Sequence, residues 1–448
     1  MNKKIVILGA GESGVGSAIL AKKQGYDVFV SDNGNILPHY EEELKQHQIE
    51  YEKEQHTERK ILNADEVVIS PGIPLNVPIV QKLKQKNIPV LSELDFAQRF
   101  TKAKIIAVTG TNGKSTTASW IYHTFKLAGY NVCLAGNIGN SFAKEIALNN
   151  HYDWLVLEVS SFQLDSSYSF HPHIAIITNI TRNHLNRYNN SMQEYINAKF
   201  RIIQNQTPQD YLAYNTDDKN ITTEIEKRNI LSKQLPLSIN KTLNTDGAWI
   251  ENNQIIIQIN QQKSTIMDVL ELALKGRHNI YNALATAIPS KIAEIKNEVI
   301  RESFKTFENL EHRMEYVNTV NGAIYINDSK ATTVQAAYYA LSTQTKPVIW
   351  ICGGQDKGNE YSELYEVVKQ KVKAIICLGK DNTKIINAFK NIVPVIVDTH
   401  SMEDAVKSAY RLAKKDDVVL LSPACASFDL FKSYEERGEK FKTLVKQL

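Results

Sequence analysis

The chain has 448 residues, more than one hydrophobic core usually organises, so it is expected to divide into about three domains of ordinary size. Hydrophobic residues make up 43% and charged residues 23%, as in water-soluble globular proteins, and no apolar run approaches the roughly 20 residues that span a bilayer. A formal charge of +3 without a dense Lys/Arg block leaves no electrostatic footprint for nucleic acid, so anion recognition has to be local.

Two lysines precede an apolar stretch at the N-terminus, but that stretch runs only from Ile5 to Leu8 before glycines begin. This is a first strand rather than a signal peptide, and a cytoplasmic location is expected. The opening continues as a glycine loop, a helix from about Val15 to Gln24 and a strand Asp27–Ser31, the alternation that builds a parallel sheet. Strands at Glu66–Ser70 and near Val90 complete a unit of residues 1–96. Gly9-x-Gly11-x-x-Gly14 follows a strand, and Asp32 ends the next one. That pattern alone reads as a dinucleotide fingerprint, so an NAD(P)-dependent oxidoreductase is one reading; the same geometry equally holds another nucleotide diphosphate.

A second start comes at Lys104, where an apolar strand runs into Gly110-Thr111-Asn112-Gly113-Lys114-Ser115-Thr116 and a helix to Leu127. Glycines in such a loop let backbone N–H groups wrap phosphate while the helix dipole favours its charge. Lys114 is placed for the β- and γ-phosphates and Ser115 for magnesium. Val108 stands where the first glycine of G-x-x-x-x-G-K-[ST] belongs, which disfavours a generic kinase or GTPase. Strands follow at Asn131–Leu134, Trp154–Val159 and Ile174–Thr178, and Glu158 at the end of WLVLE is a candidate magnesium carboxylate. Residues 205–275 are richer in Asn, Gln and Thr and are expected to be sheet-like decoration on the central domain, 97–308, with QIIIQIN as an exposed strand. A helix begins near His278.

The last third, 309–448, carries five apolar strands: AIYINDS, PVIWICGG, AIICLG, VPVIVD and DVVLLSPA. The expected fold class is therefore α/β with three domains: an N-terminal Rossmann-like sheet, a central mostly parallel P-loop sheet and a C-terminal Rossmann-like sheet. Ligands of such sheets sit beyond the C-terminal strand ends. Cys133, Cys352, Cys377 and Cys425 have no C-x-x-C spacing and read as buried thiols.

GTNGKST, GNIG (136–139), LEVSSFQL (157–164), TNITRNHLNRY (178–188), AKFRI (198–202), HNIYNALA (278–285), EHRME (311–315), NDSKATT (327–333) and GGQDKG (353–358) occur in this order. The series resembles the Mur ligase family over nearly the whole chain. SPGIP (70–74) and the tail LSPACASFDLFKSYEERGEKF (421–441) resemble the D-glutamate-adding members, and the D-N-P-R signature of the diaminopimelate-adding relatives is missing.

The resemblance implies an ATP-dependent ligase of peptidoglycan precursor synthesis. The carboxylate of UDP-N-acetylmuramoyl-L-alanine is phosphorylated, and the amine of D-glutamate attacks the acyl phosphate. It implies a monomer acting on small molecules, with no nucleic acid or membrane partner, and ATP and two Mg2+ as cofactors. It assigns Ser13, Gly14, Val15, Asp32, Asn33 and Gly72 to the uridine diphosphate portion, and Asn137 and His184 to the neighbourhood of the substrate carboxylate. Ser115, Glu158, His184 and Lys199 are the implied metal ligands, Lys199 as a carbamylated lysine. Asn279 and Asn282 are implied at the adenine, Arg313 at phosphate, Asp328 at the nucleoside and Lys330 at the transferring phosphate. Thr332, Lys357, Ser427 and Phe428 are implied for D-glutamate. Lys114, Glu158, His184, Lys199 and Lys330 form the implied catalytic set, and residues of the third domain are expected to close over ATP and exclude water.

The chain departs from the family's D-H-L-D form with Asn183 and Asn186, which removes carboxylate support from His184. A folylpolyglutamate synthase-like ligase shares the central design but lacks such an N-terminal nucleotide domain. Retention of Lys114, Glu158, Lys199 and Lys330 argues against an inactive UDP-sugar sensor. A second complete nucleotide loop at 110–116 favours a ligase over the oxidoreductase.

Overall fold

The runs IVIL (5–8), WLVL (154–157) and VIWIC (348–352) are apolar at every position, and strands of that kind are stable only when both faces of their sheet are covered. In the computed structural model they lie inside three sheets, each paired with a strand on either side. The structure describes residues 3–149, 151–183, 185–308, 311–356 and 358–448, apart from the side chains of Asn186 and Gln335. The expectations for His184 and Lys357 lie outside the described residues.

The first sheet comprises β1 (Lys4–Leu8), β2 (Asp27–Ser31), β3 (Glu50–Glu52), β4 (Glu66–Ile69) and β5 (Val90–Ser92) in the order β3-β2-β1-β4-β5. All its pairings are parallel. The order reverses at β1, so the loop after β1 opens at the switch point where such sheets bind ligands.

The second sheet holds β6 (Lys104–Thr109), β7 (Val132–Gly136), β8 (Trp154–Glu158), β9 (Ile174–Ile177), β10 (Tyr211–Asn215), β11 (Lys233–Ser238), β12 (Gly247–Glu251), β13 (Gln254–Ile259) and β14 (Gln262–Asp268). Their order is β14-β13-β12-β11-β10-β9-β6-β8-β7. The sheet-like stretch 205–275 extends the central sheet itself, with β10 and β11 as parallel members. The expectation of an exposed QIIIQIN strand is also corrected: Ile255, Ile256 and Ile257 of β13 are buried, because the helix Arg277–Ile292 packs across this end.

The two sheets share one core. Ile5, Val30 and Val68 of the first sheet belong to the same apolar cluster as Leu155, Leu157 and Ile177 of the second. They lie together in one compact unit, Met1–Phe307. The helices Glu12–Lys23 and Phe142–Leu148 approach each other tightly. A Cβ on Gly16 would come within 2.1 Å of Ser141 Oγ and 3.0 Å of the Lys144 backbone N. The first helix starts at Glu12, three residues before the expected Val15, so Ser13 and Gly14 lie in its first turn.

The other unit, Glu308–Leu448, contains β15 (Glu315–Val320), β16 (Ala323–Asn327), β17 (Val348–Cys352), β18 (Val372–Leu378), β19 (Ile396–Thr399) and β20 (Val418–Leu421). Their order is β15-β16-β20-β17-β18-β19. The sequence reading finds β16 to β20 but misses β15, an antiparallel edge strand whose residues are mostly half-exposed. All four cysteines are buried and free. Among the described residues no helix is long and apolar enough to cross a membrane.

Candidate active site

The phosphate loop joins β6 to the helix Lys114–Leu127, and two of its glycines are dictated by space and backbone. Gly110 has φ +146° and would place a Cβ 2.0 Å from Thr178 Oγ1; Gly113, the helix N-cap, has φ +83° and would place one 2.7 Å from Asn282 Oδ1. Both conformations are costly for L side chains. The loop is held from the end of β9. Asn179 Oδ1 accepts from Asn112 N at 2.9 Å, while Asn179 Nδ2 and Thr178 Oγ1 donate to Asn112 O at 2.9 and 2.7 Å. Lys114 Nζ donates to Thr111 O at 2.9 Å. Ser115 and Thr116 are buried at the start of the helix.

Asn279 and Asn282 are buried rather than surface residues of their helix. Asn282 Nδ2 donates to Asn279 Oδ1 at 3.0 Å, and Thr117 Oγ1 donates to Asn282 Oδ1 at 3.1 Å. Both asparagines therefore stand against the phosphate-loop helix.

Glu158 is 3% exposed, and Asn137 Nδ2 donates to its Oε1 at 2.8 Å. The GNIG loop lies on it because Gly136, at φ +102°, has no Cβ to collide with Glu158 O. Glu158 Oε2 is buried with no hydrogen-bond partner among the described residues, as are Asn112 Nδ2 and Thr109 Oγ1. Buried polar atoms without partners are rare and costly, and three around one phosphate loop mark a place where a ligand completes the bonding.

Lys199, 2% exposed, reaches the same loop. Its Nζ donates to Gly110 O at 2.6 Å and lies 4.6 Å from the centre of the Tyr195 ring, whose hydroxyl is 3.2 Å from Thr111 Oγ1. Burial, reinforced by the charge of Lys114, pushes the Lys199 amine well below its ordinary range, against the pull of Glu158 and Asp165. A hydroxyl at Ser115 and an unpartnered carboxylate oxygen at Glu158 are the hard oxygen donors that magnesium selects. Lys199 as an ammonium cannot join them, and no cluster of three His, Cys, Asp or Glu side chains forms among the described residues.

At the first glycine loop, Asp32 carries a backbone donor on each oxygen: Ala10 N at 2.6 Å on Oδ2 and Gly34 N at 2.7 Å on Oδ1. Gly14 has no room for a side chain, since a Cβ would lie 1.9 Å from Gly9 O. Ser13, Gly14 and Val15 thus stand at the N-terminus of their helix, with Asp32 and Asn33 beside them. The turn Ser70–Ile73 is closed by Ile73 N donating to Ser70 O at 3.0 Å; it carries Gly72 and touches Gly9 O through Ser70 Oγ at 3.4 Å.

The second unit gathers its own set. Asp328 follows β16; it accepts from Ser422 Oγ at 2.9 Å and Met314 N at 3.2 Å, and burial raises its carboxyl to about 7 although Arg313 opposes the shift. Lys330 Nζ lies 5.3 Å from the Tyr434 ring centre, and Thr332 N donates to Lys330 O at 2.9 Å. Ser427 is buried and Phe428 is 62% exposed. The loop after β20 meets the loop after β17, where Gln355 N donates to Ala426 O at 2.8 Å. Arg437, which the sequence reading passes over, is buried beneath this region and donates to Ser329 Oγ at 3.0 Å, Ser329 O at 2.8 Å and Cys425 O at 3.2 Å. The sequence reading assigns nothing to Asn179 or Tyr195 either; the only signal for Asn179 is its place inside TNIT.

Two nucleotide loops in the first unit and a carboxylate, lysine and arginine set in the second define an α/β nucleotide-dependent enzyme of the group-transfer class. Three family models match in succession: the Mur ligase MurD-like N-terminal domain over residues 3–92, the Mur ligase middle domain over 108–289 and the Mur ligase glutamate ligase domain over 312–425. The chain belongs to the Mur ligase family. It is 54% identical to the UDP-N-acetylmuramoylalanine--D-glutamate ligase of Christiangramia forsetii and 49% identical to that of Bacteroides fragilis, with all of both chains covered in each case. Among solved structures, the UDP-N-acetylmuramate-alanine ligase of Thermotoga maritima has the same fold at 18% identity and TM-score 0.62, covering 99% of each chain. A pseudomurein peptide ligase type C from Methanothermus fervidus does so at 21% and 0.61 over the full length of both.

Proposed function

We propose that this chain is the ATP-dependent ligase that adds D-glutamate to UDP-N-acetylmuramoyl-L-alanine in peptidoglycan precursor synthesis, acting in the cytoplasm as a monomer. The observation that carries the reading is the convergence of Lys114, Lys199 and the unpartnered oxygen of Glu158 on one phosphate loop. The division of labour follows the segments 1–96 for the uridine nucleotide, 97–308 for ATP and 309–448 for the amino acid.

The problem for such an enzyme is electrostatic, because a carboxylate must attack a triphosphate. Lys114 and the N-terminus of its helix hold the phosphates and offset the negative charge that grows between the reactants, and the loss of one such group typically costs about 3 kcal/mol or more of transition-state stabilisation. Ser115 and Glu158 would hold magnesium, with His184 as a further ligand, and the metal would neutralise phosphate oxygens. Asn137, fixed to Glu158, orients the alanyl carboxylate. Asn279 and Asn282 receive the adenine. Arg313 and Lys330 stabilise the transferring phosphoryl group, and Asp328 accepts from the nucleoside. Thr332, Lys357, Ser427 and Phe428 bind D-glutamate, whose amine displaces phosphate from the acyl phosphate.

Lys199 acts in carbamylated form. A buried amine held neutral has the free electron pair that attacks carbon dioxide. The new N–C bond yields a carbamate anion and releases one proton, so a cation that repels magnesium becomes an anion that can hold it. At about 4 Å and an effective dielectric near 20, reversing such a charge changes each pairing from about 4 kcal/mol unfavourable to about 4 kcal/mol favourable.

The test is phosphate release with ATP, magnesium, UDP-N-acetylmuramoyl-L-alanine and a series of amino acids. Release that depends on D-glutamate supports the reading. Oxidation of NAD(P)H without phosphate release overturns it in favour of the oxidoreductase suggested by the first glycine loop.

A further inference from the structure

The turn Ser70–Ile73 presents two consecutive carbonyls, Pro71 O and Gly72 O, that its own closing hydrogen bond does not use. Both are taken by one side chain from the chain that follows β9 of the second sheet in the same unit. Arg187 Nη2 donates to Pro71 O at 2.8 Å and Nη1 to Gly72 O at 3.1 Å, across more than a hundred residues of chain. The guanidinium plane also lies on a ring, with Cζ 4.4 Å from the centre of Phe162. A planar fork with two parallel donors fits two neighbouring acceptors in a way that the point charge of a lysine cannot.

The anchor of this fork is itself tied to the phosphate loop. Arg187 lies in the short 3-10 turn Leu185–Tyr188. Tyr188 stacks on Phe162 at 6.2 Å, donates its hydroxyl to Asp165 Oδ2 at 2.9 Å and packs 5.4 Å from Tyr195. Tyr195 in turn touches Thr111 and carries Lys199 over its ring. A continuous line of packed groups thus runs from the Gly72 turn to Lys199.

We propose that Arg187 is a positioning residue: its guanidinium holds the Ser70–Ile73 turn in the form that receives the uridine nucleotide and fixes that turn in register with the phosphate loop. The inference rests on the ligase reading above. Arg187 contacts the Ser70–Ile73 turn and the Phe162 ring, so its loss is expected to act on the affinity for one substrate rather than on the chemical step.

The variants are Arg187→Ala and Arg187→Lys, read by calorimetry with uridine diphosphate and by steady-state kinetics for each substrate. Arg187→Ala weakens uridine diphosphate binding and raises KM for UDP-N-acetylmuramoyl-L-alanine by roughly tenfold, as expected when charge-assisted hydrogen bonds are lost, with kcat and the other two KM values within about twofold. Arg187→Lys recovers only part, and added methylguanidinium restores affinity to the alanine variant. Unchanged uridine diphosphate binding, equal loss in all three KM values and kcat, or full recovery by lysine overturns the proposal. If the alanine variant fails to fold, the lysine variant carries the same comparison: partial loss confined to the uridine nucleotide supports it, and wild-type affinity overturns it. A wild-type enzyme without D-glutamate-dependent phosphate release speaks against the ligase reading instead; an active wild type with an indifferent Arg187→Ala speaks against Arg187.

Discussion

At Lys199 the burial that makes an ammonium costly also makes an amine available for carbamylation. Lys199→Ala is expected to lose nearly all activity and to regain part of it with added short carboxylic acids, which replace the carbamate's oxygens. Absence of rescue, together with an unmodified Lys199 by intact mass, counts against the modification. Asp328 gives a second test at this scale. Burial raises its folded value to about 7, above the ordinary aspartate range of about 4, so the folded state keeps a proton that the unfolded chain releases. That contribution to stability is complete below the unfolded value and is lost as pH rises through about 7, and it amounts to no more than about 4 kcal/mol. Wild-type denaturation midpoints should therefore decline as pH rises from about 4 to about 7, and Asp328→Asn should flatten the decline. An equal slope in both proteins would contradict the assignment.

Elements differ in how plainly the sequence announces them. The strand, glycine loop and helix at 104–127 are legible because the signal is local: apolar run, small residues, then a helix start within a dozen positions. The edge strand β15 is not, because EYVNTV is half-exposed and its pairing with β16 is a property of the hairpin rather than of the run. The run QIIIQIN misleads for a related reason: its flanking polar residues suggest an exposed strand, while Ile255, Ile256 and Ile257 supply a buried face. Motif order singles out the candidates Lys114, Ser115, Glu158 and Lys199 but not Asn179, Arg187 or Arg437, since each of these makes its contacts with chain far away in sequence. Gly16 is of the same kind. Gly16→Ala is expected to push the helix Glu12–Lys23 off Phe142–Leu148 and to cost about 1–3 kcal/mol, a drop visible in Tm; an unchanged Tm would show that this approach is not tight.

On the scale of the molecule, the first unit brings two nucleotide loops onto one shared core, and the second carries a separate set of charged and polar residues on its own sheet. A simple dehydrogenase has no use for the loop at 110–116, whereas a ligase that activates a nucleotide-borne carboxylate needs both. The most direct measurement of that claim is phosphate and ADP formation by the purified chain with ATP, magnesium and UDP-N-acetylmuramoyl-L-alanine, with D-glutamate, L-glutamate or no amino acid added. Stoichiometric phosphate and ADP with D-glutamate alone is the expected result; equal release in all three, or none in any, would contradict it.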